Sequence, residues 1–526
     1  MRKGSKLCIF FMASILCLLP QVSLAAQPIY GGSLNFGISS VPETLDPHQV
    51  LDKHSLNICG ALYETLVKFS VDDSKLLPAL ATSWEAKNQG REWIFHLREG
   101  VMFHDGTTFN ADAVVFSFER QLKPDHPYYE NKCFYGRYLF GKVIESIQVI
   151  DEYTVRFVLK HPYTPFVYSL TAPAAMIVSP EAVKEYKENF YLHPTGTGPF
   201  KLLRWEESGK VILERSKDYR GEKAYLDRLV FFPVTNQALR IEALARGELQ
   251  GIELQSPAGI KSVTTLISQA KVVEIPNLDV VYLALNMKKA PLDQLKVREA
   301  LARVVNREEI QQMFYLDRAT EARSLIPPFL WGYNPDLIGY ESDPQEAGRL
   351  LEETKVEIPS LNLWIPESPS SYLPDPEEIA QKIADYLAKV GIEVKIVKRD
   401  WRGYLEGCEK GEHDIALAGW RADFPDPDSF LYPLLDQQVI SESNNTNWSF
   451  YRNSFFHEIL QRARQVTDRM ERTRLYQVAQ KIVQRDVPCI PLVHTREVAV
   501  FSPEVKGVRT GLAGEVYFER AWVPVD

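Results

Sequence analysis

Cysteine is scarce in this chain, with 6 in 526 residues. Two of them, Cys8 and Cys17, fall in an apolar N-terminal run. The other four, Cys59, Cys133, Cys408 and Cys489, are far apart, with no C-x-x-C pair and no interleaved histidines. That spacing gives no support to a metal site, and no cofactor is expected. In an oxidising compartment one or two disulfides could form. Four cysteines allow three complete pairings and the sequence prefers none, while four buried thiols are the plain alternative.

Positive charge is also short. The 60 Lys and Arg face 69 Asp and Glu, a net of −9; without Arg2, Lys3 and Lys6 of the N-terminal run, 57 basic residues remain and the net is −12. A nucleic-acid partner needs a basic stripe, so that class is excluded, whereas cationic or zwitterionic small ligands are compatible. No apolar run after the N-terminal one is long enough to cross a membrane as a helix. No serine or cysteine stands in a nucleophile elbow, and His104-Asp105-Gly106 reads as a turn, so no enzyme is expected. Gly196 and Gly198 lack the third glycine of a phosphate loop and precede Pro199; a strand crossing between domains is the structural reading. There is no repeat, no low-complexity tract and no long disordered linker.

What is present is a large, aromatic-rich globular chain. Apolar residues make up 45%, charged residues 25% and aromatics 11%, with 9 Trp and 24 Tyr. The length exceeds what one core supports, so two or three domains are expected. Arg2, Lys3 and Lys6, the apolar run from 7 to 19 and the small residues Ser23-Leu24-Ala25 form an export signal over residues 1–25. The residues just before Cys17, Ile15-Leu16, are not the small ones a lipidated cysteine wants. Cleavage after Ala25 or Ala26 is expected to release a soluble periplasmic protein.

Along the mature chain, residues 31–37 read as a first strand, 58–67 as a helix, 84–97 as two strands around Asn88-Gln89-Gly90, and 109–118 as an amphipathic helix. Residues 144–159 read as a hairpin around Asp151-Glu152, and 237–246 as a helix closed by Gly247. Later come a strand at 280–286, a helix over 296–314, a helix that begins at Asp375-Pro376 and ends at Gly391, and a strand at 392–397. A short helix at 401–410, a strand at 415–418, a charged helical stretch at 458–484 and a strand at 487–501 complete the pass. This alternation predicts a mainly parallel sheet.

The stretch with the most chemistry is Gly419-Trp420-Arg421-Ala422-Asp423, where the 415–418 strand gives way to Pro425-Asp426-Pro427-Asp428. Ligands of open α/β sheets bind outside the carboxyl ends of strands. Trp420 offers an apolar face, and Asp423 offers a counter-charge for a cationic end. The plain alternative is a turn, since Asp and Pro are turn residues.

Several blocks occur together here. Trp93 to Gly106 is followed by Phe116-Ser117-Phe118. Then come Gly196-Thr197-Gly198-Pro199-Phe200, Val297-Arg298-Glu299-Ala300-Leu301 with Asn306-Arg307, and Gly419 to Asp423 with Asp426-Pro427-Asp428. In this order, over nearly all of the mature chain, they resemble the substrate-binding proteins of bacterial peptide ABC transporters (extracellular solute-binding protein family 5). The resemblance implies an α/β, periplasmic-binding-protein-like fold of type II, two lobes joined by a hinge with an additional inserted domain. Domain I would comprise residues 26–75, 195–285 and 496–526, domain II 76–194, and domain III 286–495. The hinge would form at crossovers near 280–286 and 493–496.

The resemblance also implies a function. The chain would be a monomer that captures a peptide or other amine-bearing solute and delivers it to the permease and ATPase subunits of an ABC importer. Asp423 would hold the ligand's ammonium, flanked by Trp420, Gly419 and Arg421, with Trp401 and Tyr404 nearby. The arginine that holds the carboxylate in dipeptide-binding members falls at about Ser370. The oligopeptide members' anchor falls at Leu417, and their acidic cleft residue at about Ser55. The amine clamp is present and those carboxylate clamps are absent. A sugar or metal-chelate ligand on the same fold is the alternative, with Trp401, Tyr404 and Trp420 as stacking surfaces.

Overall fold

The computed structural model describes residues 27–70, 75–254, 257–442, 444–512 and 514–524. The export signal at 1–25, with Cys8 and Cys17, lies outside them.

One strand organises the molecule: Cys489–Phe501. Its first half pairs antiparallel with Asp279–Leu285, and its second half pairs with Gly251–Leu254 and Lys271–Pro276. Among the described residues, twelve strands thereby join into one sheet that runs through both lobes. In the first lobe Ser33–Ile38 lies parallel to Arg228–Pro233 and Gly251–Leu254, and Val211–Arg215 and Phe200–Trp205 continue the sheet antiparallel. In the second lobe Asp279–Leu285 pairs with Ile415–Arg421, followed by Leu361–Pro366 and Val394–Arg399.

The sheet is mixed, not mainly parallel as the helix–strand alternation predicts. In the second lobe only the 361–366, 394–399 and 415–421 strands run parallel to one another. The strand Asp279–Leu285 is antiparallel to both neighbours, because the chain enters this lobe on it and leaves on the adjacent Cys489–Phe501. Val281, Leu283 and Leu285 face one core and Val280, Tyr282 and Ala284 another. Burial on both faces is why this strand reads as an unbroken apolar run.

The passage between lobes lies at 277–278, ahead of the 280–286 strand expected to carry it. The return passage is at 493–496, where Cys489–Phe501 changes partners. The two passages are tied together. Thr495 donates its backbone N–H to Asp279 Oδ1 at 2.8 Å, and Asn277 Nδ2 donates to Thr495 Oγ1 at 3.1 Å. Between the first-lobe segments sits a four-stranded antiparallel sheet in the order Ala81–Lys87, Glu92–Leu97, Thr154–Leu159, Ile144–Asp151. The helix Ala111–Leu122 packs on it, N-capped by Asn110.

Helix ends depart from the sequence pattern where a cap intervenes. The helix expected at 58–67 spans Lys53–Leu62, because Asp52 accepts Ser55 N–H and starts it earlier. The helix expected over 296–314 stops at Val304; Val305 is extended, and Asn306 caps a new turn by accepting Glu309 N–H at 2.9 Å. The 458–484 stretch is two helices, Ser454–Gln465 and Arg469–Asp486, the second capped by Asp468. Asn and Asp caps of this kind compete with helix continuation.

Gly196 and Gly198 have a packing role. A Cβ on Gly196 would lie 2.3 Å from Leu62 O, and one on Gly198 2.6 Å from Ala61 O, so only glycine admits this backbone contact. The neutral His104 imidazole holds the same segment, its Nε2 bonded to Gly198 O at 3.0 Å while Nδ1 accepts Gly196 N–H at 3.4 Å. Burial pushes its pKa down to about 4. The four described cysteines are buried free thiols, so neither disulfide is formed.

Candidate functional site

The strand Ile415–Arg421 runs three residues past the point where the sequence suggests an end, pairing Trp420 with Val280 and Arg421 with Asp279. The loop that follows presents Asp423, and Asp428–Leu435 resumes as a helix directly after Pro427 and with Pro433 inside it. Asp426 Oδ1 accepts Asp428 N–H at 2.9 Å and so stabilises that helix start.

A cavity of about 510 Å³ opens beside this loop. The first lobe supplies Lys53, Glu64 and Lys68, the inserted sheet domain supplies Tyr135, and the second lobe supplies Arg421 and Asp423. Among the described residues the Asp423 carboxylate receives one hydrogen bond, from Tyr135 OH to Oδ1 at 3.1 Å, and the same hydroxyl lies 3.4 Å from the Asp423 backbone O. No cation pairs with it among the described residues. Burial therefore pushes its carboxyl up to about 6, with the Tyr135 bond opposing that shift. A desolvated carboxylate with one neutral donor favours the arrival of a cation with several N–H donors, such as an ammonium.

Arg421 lines the same cavity, but Glu497 Oε1 lies 3.6 Å from its guanidinium. Glu497 also pairs with Lys53, which in turn pairs with Glu253 Oε2 at 3.1 Å. Of this chain of charges Glu497 sits on Cys489–Phe501, just past the passage between lobes, and the others come from neighbouring elements.

The remaining candidates separate by strand alternation, which sends neighbouring side chains to opposite faces. Trp420 shares its face with Ala418 and Ala422, packs against that core, and lines neither this cavity nor the next; its Nε1–H donates to Ser429 O at 2.7 Å. Gly419 faces the other way, into a second cavity of about 270 Å³. A Cβ there would lie 2.1 Å from the Tyr372 ring, so glycine lets that ring lie on the strand and wall the cavity. Trp401, 53% exposed, and buried Tyr404 line this second cavity, stacked at 6.0 Å. Tyr404 OH donates to Leu417 O at 2.9 Å. Asp423 and Arg421 are thus together, and Gly419, Trp401 and Tyr404 are together elsewhere.

Of the clamp positions, Ser370 lines the second cavity, which has no charged residue among the described residues of its wall. Leu417 is core, and Ser55 is buried with Oγ accepting Glu43 N–H and Thr44 N–H. Sequence reasoning missed Tyr135, on the helix Phe134–Phe140, although the run Phe134-Tyr135 with Tyr138 was a visible aromatic signal.

The two-lobed α/β sheet with paired crossings and a cavity between the lobes is the fold of periplasmic solute-binding proteins. The chain belongs to the bacterial extracellular solute-binding proteins, family 5, whose middle-region model matches residues 75–442. It is similar to the dipeptide-binding protein of Escherichia coli K12, with 34% identity over 477 residues, 87% of this chain and 88% of that one. It is also similar to heme-binding protein A of Haemophilus influenzae, with 33% identity over 488 residues, 89% of this chain and 88% of that one. Among solved structures, HbpA2 of Haemophilus parasuis matches with TM-score 0.89 and 29% identity, covering 94% of this chain and 100% of that one. The periplasmic binding protein DppA of Helicobacter pylori, in complex with peptide STSA, matches with TM-score 0.74 and 33% identity, covering 94% and 99%. The family is one of solute-binding proteins rather than enzymes.

Proposed function

We propose that this chain captures peptides, or other solutes carrying a primary amine, between its lobes and hands them to the permease and ATPase subunits of an ABC importer. The observation that carries the reading is Asp423, a carboxylate in the inter-lobe cavity with one neutral hydrogen bond and a pKa pushed up to about 6 by burial. Relatives named for dipeptides and a matching structure holding peptide STSA support it. The lobes are proposed to close about the passages at 277–278 and 493–496, with residues 76–194 as the inserted domain. Arg421 acts as a second-lobe tether to Glu497, and Trp420 as a brace of the Asp423 loop rather than a ligand surface. Export across the inner membrane, with residues 1–25 removed, belongs to the same proposal.

The test is calorimetric titration with tri-alanine and its N-acetyl form. Losing one partner of a buried charged pair costs roughly 2–5 kcal/mol, so acetylation is expected to weaken binding at least thirtyfold, on the order of that range. Asp423→Asn should lose the preference for the free amine. Equal binding of both forms to the native protein would remove Asp423 from the site. Scattering on the same samples should show a smaller radius of gyration with ligand, as expected of hinge closure.

A further inference from the structure

The second cavity, of about 270 Å³, lies where α/β sheets bind their ligands, outside the carboxyl ends of parallel strands. In the second lobe Leu361–Pro366, Val394–Arg399 and Ile415–Arg421 run parallel. Pro366 ends the first of these strands, Trp401 opens the helix after the second, and Gly419 lies near the end of the third; all three line the cavity. It shares no lining residue with the inter-lobe cavity. The two are neighbours all the same. Gly419 and Arg421 sit two residues apart on one face of their strand, roughly 7 Å, and Arg421 lines the inter-lobe cavity. Tyr372, lying on Gly419 and near enough for the Arg421 charge to act on its hydroxyl, stands between them.

The walls are aromatic, and none of the described residues in them is charged. Tyr404 stacks on Trp401 and meets Trp448 edge-on at 5.5 Å. Three polar groups of the wall are already engaged. Tyr404 OH donates to Leu417 O, Trp448 Nε1–H donates to Asn445 O at 3.0 Å, and Ser370 Oγ accepts Leu373 N–H at 3.2 Å. A charged group would find no counter-charge here, and a sugar would find few partners for its hydroxyls. A flat uncharged ring needs neither, and it gains from face and edge contact with the rings around it. Since a cavity of about 150 Å³ admits benzene, this one has room for a ring with a substituent. Half-exposed Trp401 gives it an apolar rim.

We infer that the second cavity binds an uncharged aromatic ring, with Trp401, Tyr404 and Trp448 as its contacts and Tyr372 as the partition from the inter-lobe cavity. Two sources share that chemistry. One is a side group of the solute whose ammonium Asp423 holds, reaching past Tyr372; the other is a free aromatic molecule. The first source rests on the capture reading above, and the site itself does not.

The experiment uses the mature chain labelled with 5-fluorotryptophan, the Trp401 fluorine resonance being identified by its loss in Trp401→Phe. It is followed at neutral pH on addition of indole, glucose, tri-alanine, and the two tripeptides with Phe in place of the second or third alanine. Indole or a Phe tripeptide should shift it saturably, glucose should leave it in place, and tri-alanine should move it less than the Phe tripeptides do. A response to indole alone identifies a free aromatic molecule, a response to Phe tripeptides alone identifies a side group of the captured solute, and a response to both shows one site open to either. In the last two cases calorimetry should show a Phe tripeptide binding about tenfold more tightly than tri-alanine, the order expected for burying a Phe ring. Ser370→Leu puts a larger apolar side chain on the cavity wall from a loop position and should abolish both the shift and the gain; melting of the ligand-free protein checks its fold. The assignment is overturned if no ring moves the Trp401 resonance, if glucose or tri-alanine moves it as far as the rings do, or if the ring response survives in Ser370→Leu. If no peptide binds but indole shifts the resonance, the capture reading has failed and the aromatic site stands.

Discussion

The proposed binding of an amine by Asp423 carries a definite pH dependence. Its carboxyl stands at about 6 in the ligand-free cavity, against an ordinary value of 3.8. An ammonium seated on it favours the ionised form and pulls that value down again. Only the carboxylate binds the ammonium, so affinity follows the ionised fraction of the free protein. With a pKa of about 6, that fraction is about nine-tenths at pH 7 and about one-tenth at pH 5. Affinity for tri-alanine should thus be about tenfold lower at pH 5 than at pH 7. It should fall again above about pH 8, where the ligand's own amino group deprotonates.

The linked proton gives a second readout. At pH 6 about half a proton per bound ligand should be released, measurable by calorimetry in buffers of different ionisation enthalpy. Asp423→Asn should abolish both the slope between pH 5 and 7 and the proton release. Tyr135→Phe removes the one hydrogen bond that favours the carboxylate, so the midpoint of the affinity profile should move to higher pH. A flat profile in the native protein, or the same slope in Asp423→Asn, refutes the reasoning. The sign for stability runs the same way. A raised carboxyl pKa stabilises the ligand-free fold at low pH, and that contribution is lost as pH rises through about 6, at most about 3 kcal/mol in all.

Two other outcomes are expected. Arg472 is fully buried, with Nη1 2.9 Å from Asp426 Oδ2, Nε donating to Ala463 O at 2.8 Å and its guanidinium 4.9 Å from the Trp331 ring centroid. Arg472→Met strands Asp426 and should cost about 3–5 kcal/mol, read as a lower urea midpoint. Adding Asp426→Leu should recover most of it, and a single-variant loss under about 0.5 kcal/mol would show the pair to be dispensable. Intact mass of periplasmic material should begin at Ala26 or Gln27, and a species retaining Met1 or carrying lipid would contradict the export reading.

Much of the fold was legible in the sequence, because each lobe's strands carry their burial in their composition. Residues 280–285 read as one apolar run since both faces are core. The turn at Asn88-Gln89-Gly90 was a local signal, and local physics decides it. Strand direction was not local. The antiparallel placing of Asp279–Leu285 follows from the return of residues 489–501 some 200 positions later, which periodicity cannot report. Helix lengths failed where an Asx cap outweighed the apolar period, at Asn306 and Asp468.

The site was legible at Asp423 and not around it, for a reason that also bears on how capture works. Spacing to Trp420 suggested that both residues face the ligand. The strand runs on to Arg421, however, and alternation turns Trp420 into the core while Asp423, two residues beyond the strand, is free to enter the cavity. The partners of Asp423 come from other parts of the chain, Tyr135 some 288 positions away. That separation is functional in the proposed scheme. In the ligand-free state the carboxylate of one lobe is held by a phenol of the inserted domain. A ligand's ammonium must compete with or join that bond, so seating the amine and adjusting the contact between the inserted domain and the second lobe are one event. An amine-free solute leaves the Tyr135 bond and the raised carboxyl as they were, and gains nothing from Asp423. Discrimination for the amine then lies in a group the fold leaves under-satisfied until the right ligand arrives.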